Sequence, residues 1–420
     1  MKKTLDDWLH WQETLHPSEI DLGLDRIRQV AKRLGLLSPS FPIITVAGTN
    51  GKGSSVAFFE AILIAEGYTT GSYTSPHLIQ YNERIKLSGL NASDTQIIRA
   101  FEDIDKARKE ISLSYFEFGT LAAMLIFVQQ AVDVVILEVG LGGRLDAANL
   151  WDTSLAIITS IAIDHESWLG NDRETIGTEK AGIMRADTPV ICGDPNPPKT
   201  IITTAKNIKA NLQQINSHFS YQLNADNTWL WKSDKIQVQL PAPALKGEFQ
   251  YNNAATVIAG LKSISNALPV SIESIEKGLK NTVIIGRLQL IHSSPDWLID
   301  VAHNPHSALA LSNYLDEKPN TGKTFALFSM LKDKDIKQVL SIMDKHIDEW
   351  HIVGLEGSRG MTTKNLTLIM KSANIQSEII PHKRFLDAIH FLKKDSKNKD
   401  KVVVFGSFLV VSNVIESWDS

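Results

Sequence analysis

The stretch PIITVAGTNGKGSSVAFFEAILIAEG at residues 42–67 gives the main indication of the fold. Its first seven residues form an apolar run of strand length, and residues 54–67 place apolar side chains at the 3–4 spacing of one helical face. Gly48, Gly51 and Gly53 between them let backbone N–H groups turn toward a ligand, and a helix N-terminus favours an anion. The stretch therefore predicts a phosphate-binding loop in an α/β domain.

The predicted loop carries side chains suited to a metal-bound nucleotide. Lys52 is placed to reach the outer phosphates, and the Ser54 hydroxyl is placed to bind Mg²⁺. The string is not a complete Walker A motif, because Val46 stands where that motif has its first glycine. A glycine-rich turn with a purely structural role is the alternative interpretation.

The same alternation of apolar runs and helical patterns continues along the chain. VDVVILEVG (132–140) and SLAIITSIAID (154–164) predict strands, and FGTLAAMLIFVQQ (118–130) predicts a helix. Strands that are apolar on both faces and separated by helices are typical of a parallel sheet covered on both sides. Residues 213–245 alternate polar and apolar side chains and predict a small β segment, and residues 252–264 predict a helix.

A chain of 420 residues is long enough for two or three domains. A second series of strands, loops and helices begins near residue 287. We therefore expect an α/β protein with one domain at residues 1–287 and a smaller one at residues 288–420.

Composition excludes several classes of protein. Hydrophobic residues make up 43% and charged residues 21%, which excludes a disordered chain, and the net charge of −4 argues against general binding to nucleic acid. The single cysteine, Cys192, cannot form an internal disulfide. The first residues lack the apolar core of a signal peptide, with Thr4 and Asp7 predicting a helix cap instead, and the longest apolar runs are too short to span a bilayer. We expect a cytoplasmic globular protein.

Polar side chains follow two of the predicted strands in the first domain. Glu138 ends one strand, at the edge of the sheet where α/β proteins bind ligands. Burying a carboxylate without a partner is costly, so a cation beside it is expected, with an ordinary salt bridge as the alternative. His165 lies between Asp164 and Glu166 after the next strand. Mg²⁺ prefers oxygen ligands, so a capping or hydrogen-bonded histidine is the alternative there.

A third polar group, in the second domain, is DVAHNP at residues 300–305. Asp300 is suited to accept from a ribose hydroxyl or to orient a base, and His303 to contact a phosphate. Arg287 lies near the predicted boundary and is suited to reach a phosphate. The alternative is an Asx turn and helix cap, which Asp and Asn-Pro readily form.

These motifs together resemble the dihydrofolate synthase/folylpolyglutamate synthase family, in the same order and over essentially the whole chain. They read AGTNGKGS, TSPHLIQYNERI, LEVGLGGRLDAAN, SIAIDHESWLG, DRETIGTEKAGI, IGRLQ, DVAHNPHSA, SMLKDKDI and GSF. The chain is more distantly similar to the Mur ligases of cell-wall synthesis. The resemblance implies a P-loop NTPase-like N-terminal domain with a parallel sheet, a Rossmann-like C-terminal ligase domain, and ATP bound between them.

The resemblance also implies roles for individual residues. ATP is expected at Thr49, Asn50, Gly51, Lys52, Asn253, Arg287 and Asp300, with His303 near the phosphates. Mg²⁺, with K⁺ as a further cation, is expected at Ser75, Glu138 and His165 in addition to Ser54. Lys180 matches a lysine that is carbamylated in these enzymes, which would give the metal two oxygen ligands; an ordinary surface lysine is the alternative. Lys52, Lys180, Asp300 and His303 are the expected catalytic residues.

The substrate prediction rests on the same resemblance, because IDLGLDRI (20–27) is similar to a segment of the dihydropteroate site in bifunctional bacterial enzymes. The site would be lined by Asp21, Leu22, Gly23, Leu24, Ser114, Tyr115, Phe116, Glu117, Leu145, Asp146 and Ala147. The implied reaction adds L-glutamate to dihydropteroate and to reduced folates through an acyl phosphate. The alternatives are a monofunctional folylpolyglutamate synthase, a Mur-type ligase and a non-enzymatic P-loop switch. We expect a monomer that binds these small molecules and ATP, without nucleic acid or membrane.

Overall fold

The structure is a computed structural model that describes residues 3–18, 20–234, 236–357 and 359–418. The described chain forms two compact units. The first extends to Ala244 and includes Gln250–Thr282, and the second combines Leu245–Phe249 with the chain from Val283 onward. The domain boundary expected at residue 287 stays a prediction.

The first unit contains ten helices and eleven strands in its described part. Its helices are α1 (Leu5–Leu15), α2 (Asp25–Arg33), α3 (Lys52–Glu66), α4 (Asp94–Arg108), α5 (Tyr115–Gln129), α6 (Glu166–Leu169), α7 (Arg173–Ala181), α8 (Lys199–Ile208), α9 (Phe249–Ser263) and α10 (Ile272–Asn281). Its strands are β1 (Ile43–Ala47), β2 (Thr70–Tyr73), β3 (Ile85–Leu87), β4 (Leu90–Asn91), β5 (Val134–Glu138), β6 (Leu155–Ile158), β7 (Pro189–Cys192), β8 (Asn211–Gln214), β9 (Phe219–Leu223), β10 (Thr228–Ser233) and β11 (Ile236–Pro241).

Eight of these strands form one sheet in the order β4-β3-β2-β5-β1-β6-β7-β8. The strands from β2 to β8 are parallel, and β3 and β4 extend the sheet antiparallel at one edge. β9, β10 and β11 form a separate antiparallel sheet, as the alternating pattern of residues 213–245 predicts. Both faces of the large sheet are covered, because every residue of β1, β5 and β6 is buried.

The second unit is built on a six-stranded sheet in the order β12-β13-β17-β14-β15-β16. β12 pairs antiparallel with β13, and the other pairs in the order given are parallel. Its strands are β12 (Gln289–His292), β13 (Asp296–Ile299), β14 (Thr324–Phe328), β15 (Glu349–Ile352), β16 (Glu378–Pro381) and β17 (Lys401–Phe405). Its helices are α11 (Pro305–Glu317), α12 (Ile336–Met343), α13 (Thr363–Ser372), α14 (Phe385–Asp395) and α15 (Phe408–Glu416). The α/β fold with parallel sheets is confirmed.

Two local predictions can be compared with the elements. The helix cap at the N-terminus is confirmed, because Thr4 and Asp7 form a reciprocal capping box at the start of α1. The strand expected over residues 154–164 was too long, because β6 ends at Ile158. The residues after it leave the parallel ladder and bond to the phosphate loop, where the Thr49 N–H donates to the Ser160 carbonyl at 2.7 Å.

None of the helices in the described ranges has the length and apolarity that a membrane crossing requires.

Candidate active site

The loop between β1 and α3 has the form of a phosphate cradle. Gly51 precedes the first residue of α3 with φ of 89°, in the left-handed region that glycine tolerates. The Lys52 ammonium donates to the carbonyl oxygens of Gly48 and Thr49, each at 3.1 Å. The Asn50 carbonyl accepts from the Thr159 hydroxyl at 2.7 Å. The loop is therefore held in shape by β6 and its following residues, with a cation at the N-terminus of the helix.

Asn253 lies against this loop, although 202 positions separate it from Gly51. A Cβ placed at Gly51 would lie 2.6 Å from Oδ1 of Asn253. The Asn253 amide donates to Gln250 at 3.0 Å, and the Gln250 amide in turn donates to the Ser54 hydroxyl at 3.2 Å. The structure thus brings together Gly51 and Asn253, expected at ATP, with Ser54, expected at the metal. It adds Gln250, which the sequence motifs did not indicate.

Glu138 and Ser75 meet at the carboxyl ends of neighbouring strands. Glu138 ends β5 and is 5% exposed, and β5 lies between β1 and β2 in the sheet. The backbone N–H of Ser75, two residues after β2, donates to Oε2 of Glu138 at 3.2 Å. Two of the predicted metal ligands are therefore adjacent.

Lys180 is buried in α7 with 3% exposure, so the alternative of a surface lysine is wrong. Burial, together with the nearby positive charge of Lys52, lowers the pKa of Lys180 to about 7. The negative charges of Asp164 and Asp146 act in the opposite direction. A lysine with this pKa is partly neutral near neutral pH, and a neutral amine is the form that reacts with CO₂.

His165 adopts the left-handed backbone conformation, with φ of 54°, at the N-cap position of α6. Its side chain makes no capping hydrogen bond to that helix. The preceding residue, Asp164, is 9% exposed and accepts from the His165 N–H at 2.8 Å. The role of His165 as a metal ligand stays a prediction.

The residues at this edge fit a hard divalent cation, provided that other oxygen donors join them. Glu138 supplies a buried carboxylate, and a carbamate on Lys180 would supply two further oxygens. Within the described ranges no three side chains of His, Cys, Asp or Glu converge as a ready metal site. The remaining ligands would have to come from phosphate oxygens and water, as is usual for Mg²⁺.

The three predicted substrate segments lie side by side. The Gly23 N–H donates to the Leu145 carbonyl at 3.2 Å, which joins the first segment to the third. Arg26 donates to Asp21 at 2.5 Å and to Glu117 at 2.8 Å, which joins the first segment to the second. Arg26 was not anticipated, because nothing in LDRIRQV distinguishes it from a surface arginine on a helix.

Ser114 and Asp146 fix the ends of these segments. Ser114 caps α5, and its N–H donates to Glu117 at 2.8 Å in a reciprocal capping box. The two oxygens of Asp146 accept from the N–H groups of Leu141 and Ala148 at 2.8 and 2.9 Å. Burial raises the pKa of Asp146 to about 7, with these hydrogen bonds and the charge of Lys52 opposing the rise.

The remaining members of the substrate set are half-buried or buried in the same part of the first unit. Tyr115 and Phe116 pack against its hydrophobic core and, with Leu22 and Leu24, are half-buried, whereas Ala147 is 4% exposed. Apolar and half-buried side chains beside buried polar groups are the usual lining of a small-molecule site.

In the second unit, Asp300 follows β13 and is 7% exposed. Its oxygens accept from the N–H groups of Ala302 and Leu288 at 2.7 and 2.8 Å. Burial raises the pKa of Asp300, whereas the charge of Arg287 lowers it. The turn described by the alternative interpretation is therefore present, and a contact to ribose stays a prediction.

Three further residues of the second unit lie near this turn in sequence or in space. Asn304 caps α11 ahead of Pro305, and Nδ1 of His303 lies 2.8 Å from the Val301 carbonyl. The Arg287 guanidinium packs on the Phe408 ring at 5.3 Å from its centroid. The roles of His303 and Arg287 at a nucleotide stay predictions.

Comparisons with known proteins extend over the whole chain. The glutamate ligase domain of Mur ligases matches residues 286–408. The dihydrofolate synthase/folylpolyglutamate synthase of Escherichia coli (strain K12) is 41% identical over 417 residues, which cover 99% of this chain and 96% of the relative. The protein of that name from Haemophilus influenzae is 39% identical over 427 residues, which cover 97% and 96%.

Solved structures agree with these relatives. E. coli FolC in complex with DHPP and ADP superimposes with a TM-score of 0.94 at 41% identity, covering 99% of this chain and 98% of the other. A bifunctional folylpolyglutamate synthase/dihydrofolate synthase with Mn, AMPPNP and L-glutamate bound gives a TM-score of 0.92 at 41% identity, covering 100% and 98%.

Proposed function

The chain belongs to the dihydrofolate synthase/folylpolyglutamate synthase family, and from this premise we propose how its own residues perform the reaction. It is an ATP-dependent acid–amino-acid ligase that joins L-glutamate to dihydropteroate and to reduced folates. One observation carries the proposed arrangement: Lys52 of the phosphate loop lies close enough to Lys180 and Asp146 to affect the pKa of each. The phosphate loop, the candidate metal edge and the substrate segments therefore share one location.

The first step transfers the γ-phosphoryl group of ATP to the carboxylate of the pterin substrate. A carboxylate is a poor acylating group because oxide is its leaving group, whereas the acyl phosphate releases a stable anion. Lys52 neutralises charge on the transferred group, and the segments around Asp146 position the carboxylate. A divalent cation, when bound, would neutralise phosphate charge as well. Glu138, Ser75 and His165 are the residues proposed to hold it.

The second step is attack on the acyl phosphate by the α-amino group of glutamate, with release of phosphate. The new amide bond makes dihydrofolate from dihydropteroate, or lengthens the glutamate chain of a reduced folate. Water would hydrolyse the acyl phosphate, so the buried setting of Glu138 and Lys180 suits the intermediate.

Finer features are part of the proposal. Lys180 carries a carbamate, Ser54 also contacts the metal, and K⁺ serves as a further cation. Asn253, Arg287, Asp300 and His303 contact ATP. The protein acts as a cytoplasmic monomer, without nucleic acid or membrane, and its domains are residues 1–287 and 288–420.

The test is the substrate dependence of phosphate release. Purified protein given dihydropteroate should release phosphate only when glutamate and Mg-ATP are also present, and the product should be dihydrofolate by mass. Tetrahydrofolate in place of dihydropteroate should also support release. Activity with tetrahydrofolate and none with dihydropteroate would leave a monofunctional synthase, and activity with a nucleotide-sugar peptide alone would indicate a Mur-type ligase.

A further inference from the structure

Arg84 is anchored beside the candidate metal edge. It ends the short 3₁₀ helix Tyr81–Arg84, immediately before β3. Its backbone carbonyl accepts from the Thr74 N–H at 2.9 Å, and Thr74 precedes Ser75, which bonds to Glu138. The backbone of Arg84 is therefore fixed next to the loop proposed to hold the cation.

The Arg84 side chain reaches from this edge to the substrate segments. Its guanidinium carbon lies 5.5 Å from the centroid of the Tyr115 ring and 5.6 Å from that of Tyr81. Its Nε donates to Nδ1 of His77 at 2.8 Å. Tyr115 is the first residue of α5 and belongs to the expected dihydropteroate site. The guanidinium therefore lies between the candidate metal edge and the expected dihydropteroate site. A reacting carboxylate would have to lie in the same place.

The charges around Arg84 leave this cation without a carboxylate of its own. Among the described residues, no Asp or Glu forms an ion pair with it. Glu83, its neighbour in sequence, accepts instead from the N–H groups of Leu78, Ile79 and Gln80 at 2.7–2.8 Å.

A half-buried guanidinium held by two aromatic faces and by a ring nitrogen of His77 is suited to an incoming anion. A buried charge costs free energy unless an opposite charge or hydrogen bonds lie beside it. The planar guanidinium can donate two parallel hydrogen bonds to a carboxylate. Tyr81 and Tyr115 also restrict the side chain to one orientation, which reduces the entropy lost on binding.

We propose that Arg84 binds a substrate carboxylate and holds it beside the metal edge. The inference rests on the proposed function. Two carboxylates share this chemistry: the benzoate carboxylate of the pterin substrate, which is phosphorylated, and the α-carboxylate of glutamate. Arg84 is in either case a direct contact to substrate.

The experiment compares Arg84→Gln and Arg84→Lys with Arg99→Gln, which changes an exposed arginine of α4. KM and kcat are measured separately for dihydropteroate, tetrahydrofolate, glutamate and ATP. Arg84→Gln should raise the KM of one carboxylate substrate roughly 10- to 100-fold, because a hydrogen-bonded charge is lost, and leave the KM of ATP unchanged. Arg84→Lys should recover part of this loss, and Arg99→Gln should behave as the parent.

Carboxylate-free ligands separate binding from a structural role. Calorimetry compares dihydropteroate with an analogue whose carboxylate is replaced by hydrogen, and glutamate with γ-aminobutyrate. If Arg84 binds the pterin carboxylate, Arg84→Gln weakens the binding of dihydropteroate and leaves the binding of the analogue unchanged. If Arg84 binds glutamate, Arg84→Gln weakens the binding of glutamate and leaves that of γ-aminobutyrate unchanged. The inference would be overturned if Arg84→Gln lost the same affinity for the carboxylate and the carboxylate-free ligand in both pairs. It would also be overturned if no ligand lost affinity.

The proposed function can be contradicted independently of the inference about Arg84. Absence of glutamate-dependent phosphate release by the parent chain would contradict the ligase assignment. The calorimetric comparison would still decide whether Arg84 binds a carboxylate, because it requires no turnover.

Discussion

The Ser75 N–H donates to the Glu138 carboxylate across the adjacent strand ends of β2 and β5, at 3.2 Å. This hydrogen bond fixes one oxygen of a carboxylate that is 5% exposed. A cation beside a buried carboxylate offsets the free-energy cost of burying its charge. Substitution of Glu138 alone can therefore test how strongly the activity depends on the metal.

Glu138→Gln should raise the Mg²⁺ concentration needed for half-maximal activity by roughly tenfold or more, since loss of supporting residues alone commonly costs that much. Glutamine keeps the size and one hydrogen-bond acceptor, so the Ser75 contact can persist while the charge is lost. Mg²⁺ titrations of phosphate release measure the effect. Glu273→Gln, at an exposed position in the first turn of α10, is the control. Equal Mg²⁺ dependence in both variants would remove Glu138 from the metal site.

Lys52→Ala should lower turnover at least about 100-fold with both pterin substrates, because it removes the charge that meets the transferred phosphoryl group. Circular dichroism and thermal unfolding should match the parent, since the Lys52 ammonium contacts the backbone carbonyls of Gly48 and Thr49 rather than the hydrophobic core. Lys206→Ala, an exposed lysine of α8, should retain full activity. Near-parental turnover of Lys52→Ala would show that the loop does not serve the reaction.

Gly51→Ala should raise the KM of ATP, and Gly67→Ala should not. Both glycines flank α3 with positive φ, at 89° and 105°, so each alanine is expected to cost about 1–2 kcal/mol of stability. Only at Gly51 would the new Cβ meet another group, at 2.6 Å from Asn253, whereas nothing lies within 4 Å at Gly67. Steady-state kinetics and denaturant unfolding of both variants separate the two effects. A similar KM for ATP in the two variants would argue against a nucleotide contact by Asn253.

Lys180 should make the free energy of unfolding depend on pH above neutrality. Its pKa is about 7 in the folded chain against 10.5 for an ordinary lysine, so between these values the unfolded chain binds the extra proton. Stability therefore rises with pH across that window and its contribution levels off above it. Lys180→Met should flatten this rise. Denaturant titrations without Mg²⁺ or bicarbonate, over the same pH range, provide the measurement, and an unchanged slope in Lys180→Met would contradict the burial effect.

The carbamate predicted on Lys180 should be visible directly. Incubation with carbon-13-labelled bicarbonate and Mg²⁺ should give a carbamate resonance in the NMR spectrum that is absent from Lys180→Met. Activity should fall when CO₂ is removed and return when bicarbonate is added. A resonance that persists in the variant would place the modification elsewhere.

The elements nearest the phosphate loop could be predicted from sequence because their signals are local. The strand at residues 42–48 and the helix at 54–67 correspond to β1 and α3, within two residues at each end. The prediction from local patterns was wrong where hydrogen bonds to a distant loop replace strand pairing. Residues 159–164 include the apolar run 161–163, yet Thr159 and Ser160 bond to Asn50 and Thr49 instead of continuing β6.

Sequence patterns also predicted only part of the candidate site. Family motifs indicated Glu138, Lys180 and the substrate segments, but burial was needed to give Lys180 its pKa of about 7. Arg26 and Arg84 depend on partners far along the chain, at Glu117 and Tyr115, and no spacing rule in one sequence reveals such pairs. Gln250 is similar, because its bond to Ser54 spans 196 positions.

The short segment Leu245–Phe249 belongs to the second unit, although the chain on both sides of it belongs to the first. The polypeptide therefore passes from one unit to the other three times, after Ala244, after Phe249 and after Thr282. A chimera that exchanged only the residues after Thr282 with a relative would leave five residues of the old partner inside the new unit. Recombination between such genes is thus expected to succeed only when both stretches are inherited together.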